Sequence, residues 1–155
     1  MGIGEPLDNF ENVVNAIAIL NNQKGLNIGA RHISISTSGV VPKIYELADK
    51  QMQCTLSVSL HSSNNKTRSE MMPINKKYNT DELLKACKYY ADTTGRRISF
   101  EYAMISGVND SQQCAHELGQ RLKGMLCHFQ LFFHVLLHNF NLSFFHAEDF
   151  FVKFF

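Results

Sequence analysis

With 155 residues, 45% of them hydrophobic and 19% charged, the chain has the apolar content for one ordinary core, which excludes a disordered chain and makes a single domain the expectation. A formal net charge of +1 supplies no electrostatic case for nucleic acid, and the pairs Lys76-Lys77 and Arg96-Arg97 are too short to form a basic stripe. Cys54, Cys87, Cys114 and Cys127 are dispersed, so a local metal cluster is not expected, and an intracellular (cytoplasmic), reduced protein without a signal peptide is the simplest reading.

The chain opens on Met1-Gly2-Ile3-Gly4-Glu5-Pro6-Leu7, a loop in which the glycines permit unusual backbone angles and Pro6 removes a donor. Taken alone it is a turn. It lacks the third glycine of a dinucleotide fingerprint and the Gly-Lys-Ser/Thr of a phosphate loop. Asp8 or Asn9 is positioned to cap a helix whose Val13, Val14, Ile17 and Leu20 share one face, and Asn21 through Gly25 end it. Arg31 to Ser36 alternates, Ile33 and Ile35 against Ser34 and Ser36, and predicts a strand ending in the turn Thr37-Ser38-Gly39. Pro42 suits a first helical position, with Ile44, Leu47 and Ala48 as the buried face.

A second alternating strand spans Cys54 to His61, with Leu56, Val58 and Leu60 opposite Thr55, Ser57, Ser59 and His61. Residues Ser62 to Tyr78 read as a long, functional loop. Asn79 and Glu82 have the spacing of a capping box for a helix buried through Leu83, Leu84, Cys87 and Ala91. Arg97 to Met104 is a third alternating strand, with Ile98, Phe100, Tyr102 and Met104 opposite Ser99, Glu101 and Ala103. Asp110 or Ser111 then starts a helix carrying Ala115, Leu118 and Leu122, and a fourth strand is expected near Cys127.

Strand and helix in alternation predict parallel βαβ units. The strands of an ordinary doubly wound sheet are apolar on both faces, whereas here one face of each strand is small and hydroxylic. If the apolar faces meet the helices, the polar faces line a common interior, as in a whole or partial parallel barrel. Such barrels carry function at the carboxyl ends of their strands. Gly4-Glu5, Ser36-Thr37-Ser38-Gly39, Ser59-Leu60-His61 and Ser106 to Asn109 all fall there. Each also has a purely architectural reading: Ser36 and Ser38 form turns, a lone His61 is commonly structural, and cysteines fill cores. Glu101 on an inward face is different, because a buried carboxylate needs partners.

Composition changes at His128. All but Phe10 and Phe100 of the 12 phenylalanines follow it, and His134, His138, Asn139 and Asn141 interrupt the run before the roughly 18 apolar residues of a membrane span. No membrane association is expected. His134 and His138 stand at i, i+4, but no third histidine or carboxylate accompanies them, so they are not read as a metal site.

Five motifs then carry a family resemblance. They are Met-Gly-Ile-Gly-Glu-Pro-Leu at 1–7, Ser-Ile-Ser-Thr-Ser-Gly-Val-Val-Pro at 34–42, Ser-Leu-His at 59–61, Met-Pro-Ile-Asn-Lys-Lys-Tyr-Asn at 72–79, and Phe-Glu-Tyr-Ala-Met with Gly-Val-Asn-Asp between 100 and 110. In this order and spacing they resemble the RlmN-type radical-SAM 23S rRNA (adenine-C2)-methyltransferases over residues 1 to about 127. The resemblance implies an α/β fold, a partial parallel (β/α) barrel truncated at both ends, holding S-adenosylmethionine over a [4Fe-4S] cluster. It implies cleavage of S-adenosylmethionine to a radical, methyl transfer through an enzyme cysteine, and C2 of an adenine in 23S rRNA or tRNA as the target. Carried over by position, Gly4 and Glu5 match the pair that meets the methionyl ammonium, Ser36 a nucleoside contact, and Ser59, Leu60 and His61 the next strand-end segment of the cofactor site.

The departures shape the expectation. The family's Cys-x-x-x-Cys-x-x-Cys loop would precede Met1, its two catalytic cysteines are not matched, and Phe129-Gln-Leu-Phe-Phe replaces the family's Asn-Leu-Ile-Pro strand. Residues 1–128 are therefore expected to form part of a radical-SAM barrel, with 129–155 an anomalous tail read out of frame and Met1 an internal methionine. An inactive fragment follows from this, with no catalytic residues and no metal ligands of its own. A non-catalytic remnant that binds S-adenosylmethionine or RNA is the alternative, and an unrelated barrel enzyme using Glu101 as general base is a third reading. The sequence does not set an oligomeric state.

Overall fold

The computed structural model describes residues 4–134, and the portion of the Phe-rich tail beyond His134, with His138, lies outside them. Helices α1 (Phe10–Leu20), α2 (Val41–Asp49), α3 (Asn65–Met71), α4 (Thr80–Thr94) and α5 (Gln112–Leu122) alternate with strands β1 (Ser34–Thr37), β2 (Thr55–Ser59), β3 (Ile98–Ile105) and β4 (Cys127–His134), α3 and α4 both lying between β2 and β3. The strands form one sheet in the order β1-β2-β3-β4, and every neighbouring pair is parallel. A sequential parallel order joined by right-handed crossovers sends the connecting helices to a single face. That leaves the other face to the hydroxyl-bearing residues and makes the sheet a segment of a barrel wall.

The alternation in the sequence accounts for both faces. Ile35, Leu56, Val58, Ile98, Phe100, Tyr102 and Phe129 are all buried, forming one core with Ile44, Leu47, Leu83, Cys87, Tyr90 and Leu122 from the helices. At about 1.5–3 kcal/mol per fully buried large apolar side chain, this layer is what holds the sheet. The opposite face runs in register as Ser36, Ser57, Ser99 and His128 across the four strands, followed by Ser59, Glu101 and Gln130.

Local signals hold at most boundaries. Pro42 lies in the first turn of α2, the Asn79–Glu82 capping box opens α4, Gly95 closes it at φ 65°, and the Ser111 hydroxyl accepts from the Cys114 N–H to cap α5. Four expectations shift. The Asn9 side chain makes no cap bond; Glu5 instead caps a 3-10 turn, Pro6–Asn9, that leads straight into α1. Residues Ala30–His32 form a 3-10 turn, closed by His32 and Ile33 N–H groups on Gly29 and Ala30 carbonyls, so β1 starts three residues later than the alternation suggests. Ala115 is exposed on α5, which buries Leu118 and Leu122. The stretch from Ser62 to Tyr78 is mostly helical: the Asn64 side-chain carbonyl caps α3, and a third 3-10 turn spans Pro73–Lys76. Strand β4 carries the sheet past residue 128. Among the described residues no helix is long and apolar enough to cross a membrane.

Candidate functional site

The carboxyl ends of the parallel strands bring all four strand-end segments named above together. Gly4, at φ 98°, needs a conformation that favours glycine and turns the chain into Glu5. Glu5 is half-buried and fixed at both oxygens: Oε1 accepts from the Leu7 N–H at 3.0 Å, and Oε2 accepts from the Ser38 N–H and the Ser38 hydroxyl, each at 2.7 Å. These charge-assisted bonds tie the first loop to the end of β1. No cationic side chain among the described residues lies within 4 Å of Glu5. Oε1, which accepts only one bond, keeps a site available to a cation.

Glu101 stands at the middle of the polar face. The Ser36 hydroxyl donates to its Oε1 at 3.4 Å and the Ser59 hydroxyl to its Oε2 at 3.2 Å, long bonds that leave acceptor capacity on both oxygens. It too has no ion-pair partner among the described residues. The partners that the sequence requires for an inward carboxylate are therefore the two serines of the neighbouring strands. Two held, half-buried carboxylates at the carboxyl ends of adjacent strands favour a positively charged ligand.

His61 follows β2 with φ 55°, an uncommon angle for a side chain of this size. Its Nδ1 accepts from the Ala103 N–H at 3.0 Å, so the neutral ring carries its proton on Nε2 and offers a donor there. Burial pushes the imidazole below its ordinary value of 6.5, the neighbouring Glu101 pulls it back up, and Arg68 pushes it down again. Leu60 is placed differently: its side chain is in the core, its N–H donates to the Glu101 carbonyl, and its carbonyl accepts from Arg68 Nε. It fixes the positions of Ser59 and His61 on either side of it.

Of two further residues that build the site, Asn109 entered the sequence reading only as the end of the strand-end segment Ser106–Asn109, and Arg68 escaped it. Asn109 is buried, accepts from the Ile105 N–H at 2.7 Å, and donates from Nδ2 to the carbonyls of His61 (2.6 Å) and Ala103 (2.8 Å). It locks the β3 end against His61, and only its place in Ser106-Gly-Val-Asn hinted at this. Arg68 is fully buried beneath the same strand ends, where no hydrophobic pattern could have predicted a cation.

The cysteines do not suit an iron-sulfur cluster. Cys54 and Cys87 are fully buried in the core, and burial raises both thiols, which favours the protonated form over the thiolate a metal requires. Burial raises Cys127 as well. Among the described residues no three His, Cys, Asp or Glu side chains stand close enough to share a metal ion.

Comparison with known proteins agrees with this architecture. Residues 1–117 match the family model described as the Radical SAM superfamily. The chain is 57% identical over 131 residues to a probable dual-specificity RNA methyltransferase RlmN of Thermoanaerobacter sp. (strain X514), and 58% identical over 131 residues to one of Clostridium novyi (strain NT). In each case the match covers 84% of this chain and 38% of the relative. A crystal structure of a radical SAM methyltransferase from Sphaerobacter thermophilus superposes with a TM-score of 0.81 at 48% identity, again over 84% of this chain and 38% of that one. The chain thus spans little more than a third of the length of the relatives it matches. With the parallel sheet, the one-sided helix layer and these matches together, the chain belongs to the radical SAM superfamily and is RlmN-like within it.

Proposed function

We propose that this chain forms the S-adenosylmethionine pocket of a methyltransferase acting on C2 of adenine in 23S rRNA and tRNA. The observation that carries the reading is the Glu5 carboxylate, held by Leu7 and Ser38 at the rim of a hydroxyl-lined face and left without a cationic partner among the described residues. S-adenosylmethionine brings an ammonium and a sulfonium, hence a net positive charge, and Glu5 with Glu101 supplies the complementary field. Gly4 leaves open space where a side chain would stand, with no atom within 4 Å of the position a Cβ would take. Ser36 and Ser59 present hydroxyls to the nucleoside portion, and neutral His61 offers its Nε2–H.

In this 155-residue chain the function stops at binding. When bound to a cluster, S-adenosylmethionine supplies radical chemistry, but Cys54 and Cys87 are core residues, Cys127 is half-buried against that core, Cys114 stands apart on α5, and no step is assigned to any of them. The RNA target follows from the likeness to RlmN relatives and from no basic surface of this chain. Calorimetric titration without iron tests the reading: S-adenosylmethionine binds the wild-type chain, and Glu5→Ala abolishes the heat. An absence of binding by wild type sinks it. Appearance of a [4Fe-4S] absorption band on anaerobic reconstitution overturns the restriction to binding.

A further inference from the structure

Arg68 occupies a place that the proposed ligand contacts do not explain. It lies in the short helix α3, is 0% exposed, and has no carboxylate within 4 Å among the described residues. Its guanidinium is instead surrounded by acceptors. Nε donates to the Leu60 carbonyl at 3.0 Å, Nη1 to Asn75 Oδ1 at 2.9 Å, and Nη2 to the carbonyls of Ser38 at 2.8 Å and Ser59 at 3.1 Å. Four of the five donors of a guanidinium are thus used.

The three backbone acceptors are not scattered. Ser38 follows β1, and Ser59 and Leu60 end β2, so one planar group ties together two adjacent strand ends. The same peptides carry the site. Ser38 holds Glu5 through its N–H and hydroxyl, the Ser59 hydroxyl meets Glu101, and Leu60 leads directly to His61. Asn75 backs the guanidinium, donating to the Asn65 carbonyl and Ser69 hydroxyl and accepting from the Thr80 hydroxyl, which anchors the assembly to the start of α4. Gly39, at φ 111°, closes the remaining side: a Cβ there would come within 3.0 Å of Leu83 Cδ1 and 3.4 Å of Arg68 Nη2. Burial pushes the guanidinium down to about 10, so it keeps its charge at neutral pH.

We propose that Arg68 is a positioning residue for S-adenosylmethionine: by bridging the Ser38, Ser59 and Leu60 carbonyls it sets the spacing between the Glu5 clamp and the Ser59–Glu101–His61 group. The inference rests on the binding function proposed above. Lysine cannot substitute, because a point-like ammonium lacks the planar fork that reaches three carbonyls and Asn75 at once.

The test measures amide hydrogen exchange and S-adenosylmethionine affinity on the full 155-residue chain for wild type, Arg68→Lys, Arg68→Ala and Gly39→Ala. In Arg68→Lys the Ser38 amide, which donates to Glu5, and the Ala103 amide, which donates to His61, are expected to exchange at least about ten-fold faster, while Tyr90 and Phe100 amides in the core keep their protection. The dissociation constant rises at least about ten-fold in the same variant, and millimolar methylguanidinium restores affinity to Arg68→Ala. Gly39→Ala, which crowds the guanidinium without removing it, weakens binding in the same direction. If Arg68 is only a fold staple, protection falls equally at Ser38 and Tyr90 and the affinity per folded molecule is unchanged; that result overturns the proposal while leaving the binding function intact. Should Arg68→Ala fail to fold, Arg68→Lys and Gly39→Ala still decide the matter. If the wild-type chain itself does not bind S-adenosylmethionine, the binding function falls and this inference falls with it.

Discussion

The two faces of one sheet behave as different materials. On the helix side Leu56, Val58, Ile98 and Phe100 are 0% exposed and apolar, so these side chains hold the fold and offer a ligand no polar group. On the opposite side, in the same strands and one residue out of phase, Ser36 and Ser59 donate to Glu101 and Ser99 is bonded to His128, with acceptor capacity to spare on the carboxylate. A period of two lets a single strand hold a fold with one set of side chains and a binding face with the other. The cost of change on each face should therefore differ in kind.

The sharpest contrast is between neighbours in β3. Phe100→Ala removes a buried ring that packs on Phe129 at 5.8 Å between centroids, and is expected to destabilise the chain by about 3–5 kcal/mol in urea unfolding. Ser99→Ala, one residue earlier and facing the other way, loses a 3.0 Å bond to His128 and costs about 1 kcal/mol. Equal losses at the two positions would dissolve the distinction between the faces.

Asn109 sits where the two faces meet at the strand ends. Asn109→Ala leaves the Ile105 N–H and the His61 and Ala103 carbonyls without their partner, with an expected loss of about 2–3 kcal/mol. Differential scanning calorimetry measures it, and a change below the cost of one hydrogen bond would show that water replaces the side chain freely.

Glu101→Gln acts almost wholly on the ligand side. The amide keeps an oxygen for one of the two serines, so stability moves by about 1 kcal/mol or less, while affinity for S-adenosylmethionine drops several-fold as the charge is lost. Titration calorimetry beside a urea melt separates the two quantities. A large loss of stability with unchanged affinity would make Glu101 a structural group.

What the sequence disclosed follows the same division. Alternation over Arg31–Ser36, Cys54–His61 and Arg97–Met104 indicates strands with a hydroxylic face, strand and helix in turn indicate parallel pairing, and the motifs at Glu5, Ser36 and Ser59–His61 fall at the strand ends; only the start of the first strand moves, to Ser34. Period-two alternation is a one-dimensional signal and survives without coordinates. Arg68 leaves no such trace, and the contacts of Asn109 leave none beyond its place in the strand-end motif, because their partners are mostly main-chain carbonyls, which every residue possesses. The segment Ser62–Tyr78 was read as loop because its helix α3 is short and polar, Asn-Lys-Thr-Arg-Ser-Glu-Met, and buries Arg68 rather than an apolar stripe. Tertiary hydrogen bonding, not propensity, makes it a helix.

The smallest expected effect is the dependence of stability on pH through His61, and it again distinguishes the faces, since the apolar side contains nothing that titrates near neutrality. Burial holds the His61 imidazole below its ordinary 6.5, so the folded chain binds this proton less readily than the unfolded chain. Stability is then fully present above about pH 6.5 and is lost as the pH falls from there through the lower folded value, with a slope no steeper than about 1.4 kcal/mol per pH unit for one proton. His128 is lowered by burial and by Arg97 and contributes in the same sense. His61→Asn isolates the first residue: asparagine tolerates the φ of 55°, its side-chain oxygen can take the Ala103 N–H in place of Nδ1, and it does not titrate. Chemical denaturation between pH 5 and pH 7.5, about one unit either side of the free imidazole value, should show a flatter acid limb for His61→Asn than for wild type. Parallel curves would mean that His61 binds its proton equally well in the folded and unfolded chains, so that neither burial nor the Ala103 N–H on Nδ1 disfavours the imidazolium.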